Sequence, residues 1–289
     1  MHRADLVALL SDALPTGVVH TAHRCTGLAQ TDGMARTFAN GASAQADVVI
    51  AADGIHSELR PHVFPPSRPV FHGSVAYRGL VPHERIPHWP VERWQMWLGS
   101  GKHFLAFPVR AGQMINYVGF VPADEEMKES WSAPGDPDVL RREFAGWDAR
   151  IGDLLRHVEM TFRWALSDRE PLPAWTNGRL SLLGDAAHPM LPHLGQGANQ
   201  SIEDGMALAT ILARADRETA PAALLAYEKL RRERVAQVQR GARENGMRYD
   251  SAYSDLGVRD AEIAAHAAFR RRLYDHDVVP DARAAAARL

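Results

Sequence analysis

The sequence has few of the features that mark secreted, membrane or nucleic-acid-binding proteins. Its 289 residues contain one cysteine, Cys25, which excludes an internal disulfide framework and suits a reducing cytoplasm. No apolar run is long enough to cross a bilayer, so no membrane partner is expected. The formal net charge of -2 gives no electrostatic reason to expect binding to nucleic acid. What remains is a cytoplasmic globular protein of one large or two ordinary domains, with no expected metal site.

The segment Arg179–Asp204 predicts a strand, an irregular loop and a helix, in that order. Leu180 to Leu183 is a short apolar run that fits a buried strand. Two prolines then favour a loop, and the glycines Gly195 and Gly197 precede the helix. A carboxylate thus follows the strand at its carboxyl end, where open α/β sheets place their ligands. The helix N-terminus would present N–H groups to an anion or to developing negative charge.

This segment resembles the flavin-binding signature of FAD-dependent aromatic hydroxylases. The resemblance is carried by the runs Gly184-Asp185-Ala186-Ala187-His188-Pro189 and Gly195-Gln196-Gly197-Ala198-Asn199. It implies that Asp185 hydrogen-bonds the ribityl chain of FAD and that the helix N-terminus faces the N1–C2=O edge of the isoalloxazine. The cofactor-binding residues expected here are Gly184, Asp185, Gly195, Gly197, Ala198 and Asn199. The plainer alternative is an ordinary strand, loop and helix in which Asp185 is a cap.

Two further segments resemble the same family. One is the run Ala46-Asp-Val-Val-Ile-Ala-Ala-Asp-Gly-Ile-His-Ser57. In the family, the Asp of this signature and its neighbours support the FAD pyrophosphate and lie near the NAD(P)H path, which implies cofactor contacts for Asp53 and Gly54. The other is His2-Arg3-Ala4-Asp5-Leu6, which resembles a segment whose Arg lies against the flavin. Arg3 is therefore a cofactor-binding candidate, with a solvated residue as the alternative.

Residues 69–122 change in character from alternating strands and helices to successive strands. Strand-like runs separated by turns predict an antiparallel sheet. The runs are Val70 to Val81, Trp94 to Leu98, Phe104 to Val109 and Met114 to Val121. The resemblance makes this sheet the floor of a pocket for an aromatic substrate.

The segment Phe71–Gly79 matches a strand of that floor. The resemblance makes Tyr77 a candidate contact of the substrate phenol or the flavin edge, Arg78 a partner for a substrate carboxylate, and His72 a base. Adjacent residues of a strand point to opposite faces, so Tyr77 and Arg78 cannot both face one pocket. An arginine on the outer face of the sheet is the alternative for Arg78.

The loop before Gly195 supplies two more catalytic candidates. In the family pattern, the Pro192 carbonyl and His193 lie nearest the flavin ring. His193 occupies a place where the family pattern has an aromatic residue, so a role as base or substrate contact is a hypothesis. A polar loop residue is the alternative.

Outside these segments the sequence predicts mostly helices. They are expected at 2–14, Pro221 to Arg243 and Asp260 to Tyr274. Val18 to Cys25 is predicted as a strand. The basic run Arg231-Arg232-Glu233-Arg234 is interpreted as a solvated helix face or an intersubunit surface rather than a nucleic-acid patch.

The expected fold class is mixed α/β (α+β): a Rossmann-like FAD-binding domain with an inserted antiparallel-sheet substrate domain and C-terminal helices. The predicted domains are residues 1–68 and 171–215 for the two parts of the FAD-binding domain, 69–170 for the substrate domain and 216–289 for the helices. The sequence contains no Gly-x-Gly-x-x-Gly turn. The FAD-binding domain is therefore expected to be incomplete, without the first βαβ unit that cradles the pyrophosphate.

The resemblance implies an FAD-dependent monooxygenase that hydroxylates a hydroxybenzoate- or salicylate-like ring. NAD(P)H is the cosubstrate, and O2 reacts by way of a C4a-hydroperoxyflavin. Two alternatives stay open: a non-catalytic flavoprotein fragment or partner subunit, and an FAD monooxygenase that acts on a non-aromatic substrate. The expected partners are a small aromatic molecule and O2, with a homodimer or a complementing N-terminal fragment as further expectations.

Overall fold

The computed structural model describes residues 2–31, 34–39, 41–123 and 133–289. The strands are β1 (Cys25–Thr31), β2 (Met34–Ala39), β3 (Ala42–Ala46), β4 (Val49–Ala51), β5 (Val70–Pro82), β6 (Gln95–Gly99), β7 (Lys102–Val109), β8 (Met114–Pro122), β9 (Pro134–Gly135), β10 (Thr161–Asp168), β11 (Thr176–Asn177) and β12 (Leu180–Leu182). The α-helices are α1 (Arg3–Asp12), α2 (Pro137–Glu143), α3 (Ala149–Arg156), α4 (Gly197–Leu212), α5 (Ala220–Tyr249), α6 (Leu256–Ala265), α7 (Ala267–Tyr274) and α8 (Val278–Ala286).

The chain divides into two compact units. Unit 1 comprises residues 1–20, 71–166 and 247–254, and unit 2 comprises 21–70, 167–246 and 255–289. Among the helices of the described ranges, none combines the length and the apolar character that crossing a membrane requires.

Unit 1 is built on a six-stranded sheet with the order β6-β7-β8-β5-β10-β9. The pairs β6/β7, β7/β8, β5/β8 and β9/β10 are antiparallel, which confirms the predicted antiparallel sheet. Gly99 pairs with Lys102, so the Gly99-Ser100-Gly101 run forms the turn between β6 and β7. One face of the sheet packs against α2 and α3, where Leu140, Phe144, Ile151 and Leu154 are buried with Phe104 and Tyr117.

Unit 2 contains the short parallel pair that organises the candidate site. β4 runs parallel to β12, with Val49 opposite Leu180 and Ala51 opposite Leu182. β11 joins β12 on its other side, in antiparallel orientation. These apolar strands lie buried against α4, α5 and α8, which is why they read as continuous hydrophobic runs.

Two predicted elements differ from the structure. The strand expected at Val18 to Cys25 is wrong, because residues 18–24 are irregular, Ala22 has φ +61°, and β1 begins only at Cys25. The helix expected at Asp260 to Tyr274 is divided at His266 into α6 and α7. The sequence also predicts a hairpin turn at Asn40-Gly41. Asn40 lies outside the described residues, and Gly41 has φ +81° between antiparallel β2 and β3.

Candidate active site

The parallel pairing of β4 and β12 brings two distant segments of the sequence to one edge. Leu183 N–H donates to the Ala51 carbonyl at 2.9 Å, directly beyond the paired residues. The carboxyl ends of parallel strands meet at the same edge of a sheet. Asp53 follows β4 and Asp185 follows β12, so both carboxylates belong to that edge.

Arg60 connects these two segments through hydrogen bonds. Its guanidinium donates from Nε to the Ala186 carbonyl at 2.7 Å and from Nη2 to the carbonyls of Asp185 at 3.1 Å and Gly54 at 3.4 Å. The residue is 3% exposed. Burial, together with the charge of Arg169, lowers the pKa of Arg60 to about 10, so the side chain is still a cation at neutral pH. The sequence interpretation did not include Arg60, because its partners Asp185 and Ala186 lie 125 and 126 residues away in the sequence.

Asp53 shapes its own segment. Its Oδ2 accepts hydrogen bonds from the N–H groups of Glu58 at 2.8 Å and Leu59 at 3.4 Å. Ser57 Oγ accepts from the Arg60 N–H at 2.9 Å, so Ser57 caps this short turn. Gly54 has φ +82°, a conformation that favours glycine. The structure therefore gives Asp53 a structural role at the site edge and leaves its side chain exposed.

The segment after β12 turns sharply at Gly184. Gly184 has φ +61°, and a Cβ added there would lie 2.9 Å from Ser201 Oγ. The residues 184–186 form a short 3-10 turn in which the Asp185 side chain is half-buried. Glycine is thus required both by the backbone conformation and by the close approach of α4.

The N-terminus of α4 lies at the end of the same loop. Residues Pro192–Leu194 form a second 3-10 turn, closed by Gly195 at φ +62°. No side chain caps α4 at Gln196, and the helical ladder begins with Gln200 N–H donating to the Gln196 carbonyl at 2.8 Å. The N–H groups of residues 197–199 precede that ladder, and Ala198 and Asn199 are exposed. This end of α4 can stabilise an anion or a ring that gains negative charge.

A buried ion network supports the loop from within unit 2. Asp204 on α4 accepts from His188 Nε2 at 2.5 Å and from the Gly184 N–H at 3.2 Å through Oδ2, and from Arg231 Nε at 2.8 Å through Oδ1. The side chains of His188, Asp204 and Arg231 are all 0% exposed. Burial of Asp204 raises the pKa of its carboxyl group, but the hydrogen bond and charge of His188 and Arg231 outweigh that effect and leave the pKa lowered.

Arg231 also contacts Glu203 at 2.5 Å and the Gln200 side-chain oxygen at 2.8 Å. The interpretation of the basic run as a solvated face is therefore wrong for Arg231. The sequence did contain the signal, because Arg231 stands on the apolar stripe of α5 between the buried residues Tyr227 and Val235. A charged residue in such a stripe indicates a buried ion pair.

His193 packs against α5. It is half-buried, and its carbonyl accepts from Asn245 Nδ2 at 2.7 Å. Pro192, the neighbouring catalytic candidate, is exposed at the start of its turn. The structure thus brings the loop candidates close to the N-terminus of α4.

Unit 1 contains a cavity of about 870 Å³. Its lining residues include Arg3, Arg78 and Arg85 against a single glutamate, Glu159. Arg85 and Glu159 form an ion pair at 2.6 Å. The Arg78 guanidinium lies over the Trp164 ring, 4.8 Å from its centroid. Burial and the positive charge of Arg3 lower the pKa of Arg78.

Tyr77 and His72 are not among the residues that line this cavity. Tyr77 is 3% exposed in the core of unit 1, under the Arg163 guanidinium, and burial raises the pKa of its phenol. Arg78 and Tyr77 lie on opposite faces of β5, as strand alternation requires. His72 lies half-buried near the start of β5. Of the substrate-pocket candidates on β5, the cavity includes Arg78 alone.

Comparison with known protein families gives one broad match. Residues 12–242 match the family described as "FAD binding domain".

Comparison with characterised proteins gives related enzymes. The chain is 42% identical over 248 residues to a 3-amino-4-hydroxybenzoate 2-monooxygenase of Streptomyces platensis, an alignment that covers 85% of this chain and 62% of that protein. It is 38% identical over 313 aligned positions to a salicylate hydroxylase of Pseudomonas putida, covering 100% of this chain and 72% of that protein. The chain thus spans 62% and 72% of the length of these two relatives.

Among solved structures, a salicylate hydroxylase–substrate complex superposes with a TM-score of 0.86 at 32% sequence identity. The superposition covers 99% of this chain and 75% of that one. The mixed α/β fold, with its antiparallel sheet and C-terminal helices, is therefore shared with that enzyme.

Proposed function

Because this chain belongs to the FAD-dependent aromatic hydroxylases, we propose that it serves a flavoprotein monooxygenase reaction on an aromatic ring. In this reaction NAD(P)H supplies two electrons, one oxygen atom of O2 enters the ring, and the other becomes water. The observation that carries the proposal is the edge formed by β4 and β12, where both signature segments meet beside the N-terminus of α4.

The residues at this edge fit a flavin. Asp185 offers carboxylate oxygens to ribityl hydroxyls, and the glycines 195 and 197 leave room for a ring to approach the backbone, since a Cβ at Gly195 would meet no atom within 4 Å. The helical N–H groups that precede the ladder suit a flavin ring that becomes anionic on reduction. Bound FAD supplies the redox chemistry, which is to accept a hydride and to react with O2.

The residues of the chain then have distinct tasks. Arg60 holds the segments of Asp53 and Asp185 in register through their backbone carbonyls. The buried ion network around Asp204 keeps the loop against α4, so that the helix N-terminus is preorganised rather than mobile. We propose His193 and Pro192 as contacts of the ring or the substrate, and Tyr77 and His72 as catalytic residues of unit 1.

For the substrate we propose an aromatic ring that carries an anionic group. The cavity of unit 1 supports this class, because Arg3 and Arg78 give it positive charge while Met114, Met160 and Phe162 give it apolar walls. A carboxylate pairs well with a guanidinium, and an aromatic ring fits against methionine and phenylalanine side chains. Hydroxybenzoates and salicylates combine both features.

The first experiment tests the cofactor and the reaction together. The purified chain is incubated with excess FAD and desalted, and its visible spectrum is recorded. A retained flavin that oxidises NADH or NADPH with a hydroxybenzoate, and yields a hydroxylated product by chromatography, supports the proposal. Loss of all flavin, or oxidation that yields only hydrogen peroxide with every ring tested, contradicts it for this chain.

The second experiment tests the substrate class. Arg78→Met removes a guanidinium from the cavity, and we expect it to raise KM for a carboxylated ring about tenfold or more with a smaller change in kcat. Arg93→Met is the matched control, because Arg93 is an exposed arginine of the same unit that pairs with the neighbouring Glu92 at 3.7 Å. An unchanged KM in Arg78→Met would remove Arg78 from the substrate site.

The remaining partners are also proposals. A homodimer or a complementing second chain is tested by the molar mass of the flavin-loaded protein, measured by light scattering.

A further inference from the structure

The carboxyl-terminal half of α5 holds the loop between β12 and α4 by two buried amides. Gln239 Nε2 donates to the Pro189 carbonyl at 3.0 Å, and Asn245 Nδ2 donates to the His193 carbonyl at 2.7 Å. Gln239 is 2% exposed and Asn245 is 5% exposed. Amides are seldom buried at this level unless their hydrogen bonds are made. Gln239 Nε2 also donates to the Arg169 carbonyl at 3.3 Å, but both side chains donate to carbonyls of the loop, which points to a role in shaping it.

A glycine completes this surface of α5. A Cβ added at Gly246 would lie 2.5 Å from His193 Cδ2 and 2.7 Å from its Nε2. A Cβ essentially never lies this close to a non-bonded atom, so any side chain at Gly246 would displace the imidazole ring. Asn245 therefore donates to the carbonyl of His193, and Gly246 leaves space for the ring of the same residue.

The loop is held at residues 184–188 by Arg60 and the Asp204 network, and its second part is residues 189–195. It consists of short 3-10 turns joined through prolines, and it ends at Gly195 in the left-handed region. Pro189 and Pro192 have no N–H to donate, and Pro192 and Gly195 are exposed. Side-chain donors from α5 hold two carbonyls of this second part, those of Pro189 and His193.

We propose that Asn245, assisted by Gln239, is a positioning residue that sets the Pro192–Leu194 turn at the N-terminus of α4. One consequence rests on the proposed function: the turn must be held in place for the flavin to bind in one orientation. Another consequence concerns the chain alone, because the loop should loosen without Asn245 whether or not FAD is present.

The test compares Asn245→Leu with wild type in the full chain. Leucine has the same branched arrangement of heavy atoms as asparagine, with larger methyl groups and no donor. Gln237→Leu is the matched control, since Gln237 is an exposed amide on the same helix. If leucine prevents folding, Asn245→Ala and the independent variant Gln239→Leu replace it, the latter with its effect expected at residues 190–191.

Hydrogen exchange of the chain without FAD gives the first readout. Loss of one buried hydrogen bond should speed the exchange of amides in 193–197 about tenfold, with the amides of β12 unchanged. Titration with FAD gives the second readout. We expect the Kd of Asn245→Leu to rise about tenfold and the visible bands of its bound flavin to shift, while Gln237→Leu behaves as wild type.

The outcomes separate the two claims. Unchanged exchange in 193–197 overturns the inference. Faster exchange with an unchanged Kd and spectrum also overturns it, because Asn245 would then hold a loop that does not position the flavin. If wild type takes up no FAD, the proposed function fails, while the exchange comparison alone decides whether Asn245 holds the loop.

Discussion

Replacing Asp204 by asparagine should destabilise unit 2 by about 3 kcal/mol at neutral pH. The carboxylate accepts three hydrogen bonds, from His188, Arg231 and the Gly184 N–H. At about 1.5 kcal/mol for each bond to a charged group, their loss would cost about 4.5 kcal/mol. The asparagine oxygen keeps the bond from Arg231, which lowers the expected loss to about 3 kcal/mol. Removing one partner from a buried ion pair costs a similar amount, about 3–5 kcal/mol.

The new amide nitrogen cannot restore the lost contacts. It would face the Gly184 N–H, which is also a donor. It could donate to His188 Nε2 only if the imidazole proton moved to Nδ1. That nitrogen is buried, and no described residue offers it a partner. Arg231 is less affected, because Glu203 still neutralises it at 2.5 Å.

The measurement is urea denaturation together with native-state hydrogen exchange of amides in β12 and α4, which reports the free energy of unit 2. Glu233→Gln is the control, because Glu233 is an exposed partner of Arg240 on α5 and should leave the free energy nearly unchanged. A loss of less than about 1 kcal/mol in Asp204→Asn would refute the reasoning, since a fully buried carboxylate with three donors should contribute more than one ordinary hydrogen bond.

The pH dependence supplies an independent check. The folded pKa of Asp204 is lowered from its ordinary value of 3.8. Its contribution to stability is therefore fully present above the unfolded value and is lost as the pH falls through the folded pKa. The difference between wild type and Asp204→Asn should stay constant from pH 7 to about pH 5 and shrink below about pH 4. A difference that grows on acidification would contradict this assignment.

Further substitutions test the glycines and the cation at the site. Gly246→Ala should lower the free energy of unfolding by about 1–3 kcal/mol through its clash with the His193 ring. In a His193→Ala background the same change should stabilise by about 0.5–1 kcal/mol, and equal effects in both backgrounds would contradict the contact. Gly184→Ala should lower the free energy of unfolding by about 1–2 kcal/mol because φ is +61°. Gly205→Ala, inside α4 with open space at its Cβ, should raise it by about 0.5–1 kcal/mol. Thermal melts of the two variants should therefore shift in opposite directions. Arg60→Met should weaken FAD binding about tenfold in a fluorescence titration, and Arg60→Lys should not restore it, because one ammonium cannot reproduce the three directed donors; full rescue by lysine would show that only charge matters.

The local part of the site could be predicted from the sequence. The apolar run of β12, the prolines and the glycine pair each act through nearby backbone, so the order of strand, loop and helix is correct from Leu180 to the start of α4 at Gly197. Alternation along β5 likewise separated Tyr77 from Arg78.

The supporting contacts could not be predicted in the same way. Arg60 and Asp185 are 125 residues apart, and Asn245 and His193 are 52 apart, so neither pair shares a local pattern. The predicted strand at Val18 to Cys25 is wrong for a related reason. Its apolar composition favours a strand, but no neighbouring strand pairs with residues 18–24 in the described structure.

The pairing of β4 with β12 also has a consequence for the order of folding. Val49 and Leu180 are 131 residues apart (180 minus 49), so their alignment closes a loop whose entropy cost is about 4 kcal/mol from its length. The β6/β7 hairpin closes across Gly99 and Lys102 and costs far less. Near contacts form sooner than distant ones, so the inserted antiparallel sheet should gain structure first and shorten the remaining span. The edge at β4 and β12 is then among the last parts to form. A ligand of this edge would therefore bind only after the rest of the chain has folded, and its binding would not start folding.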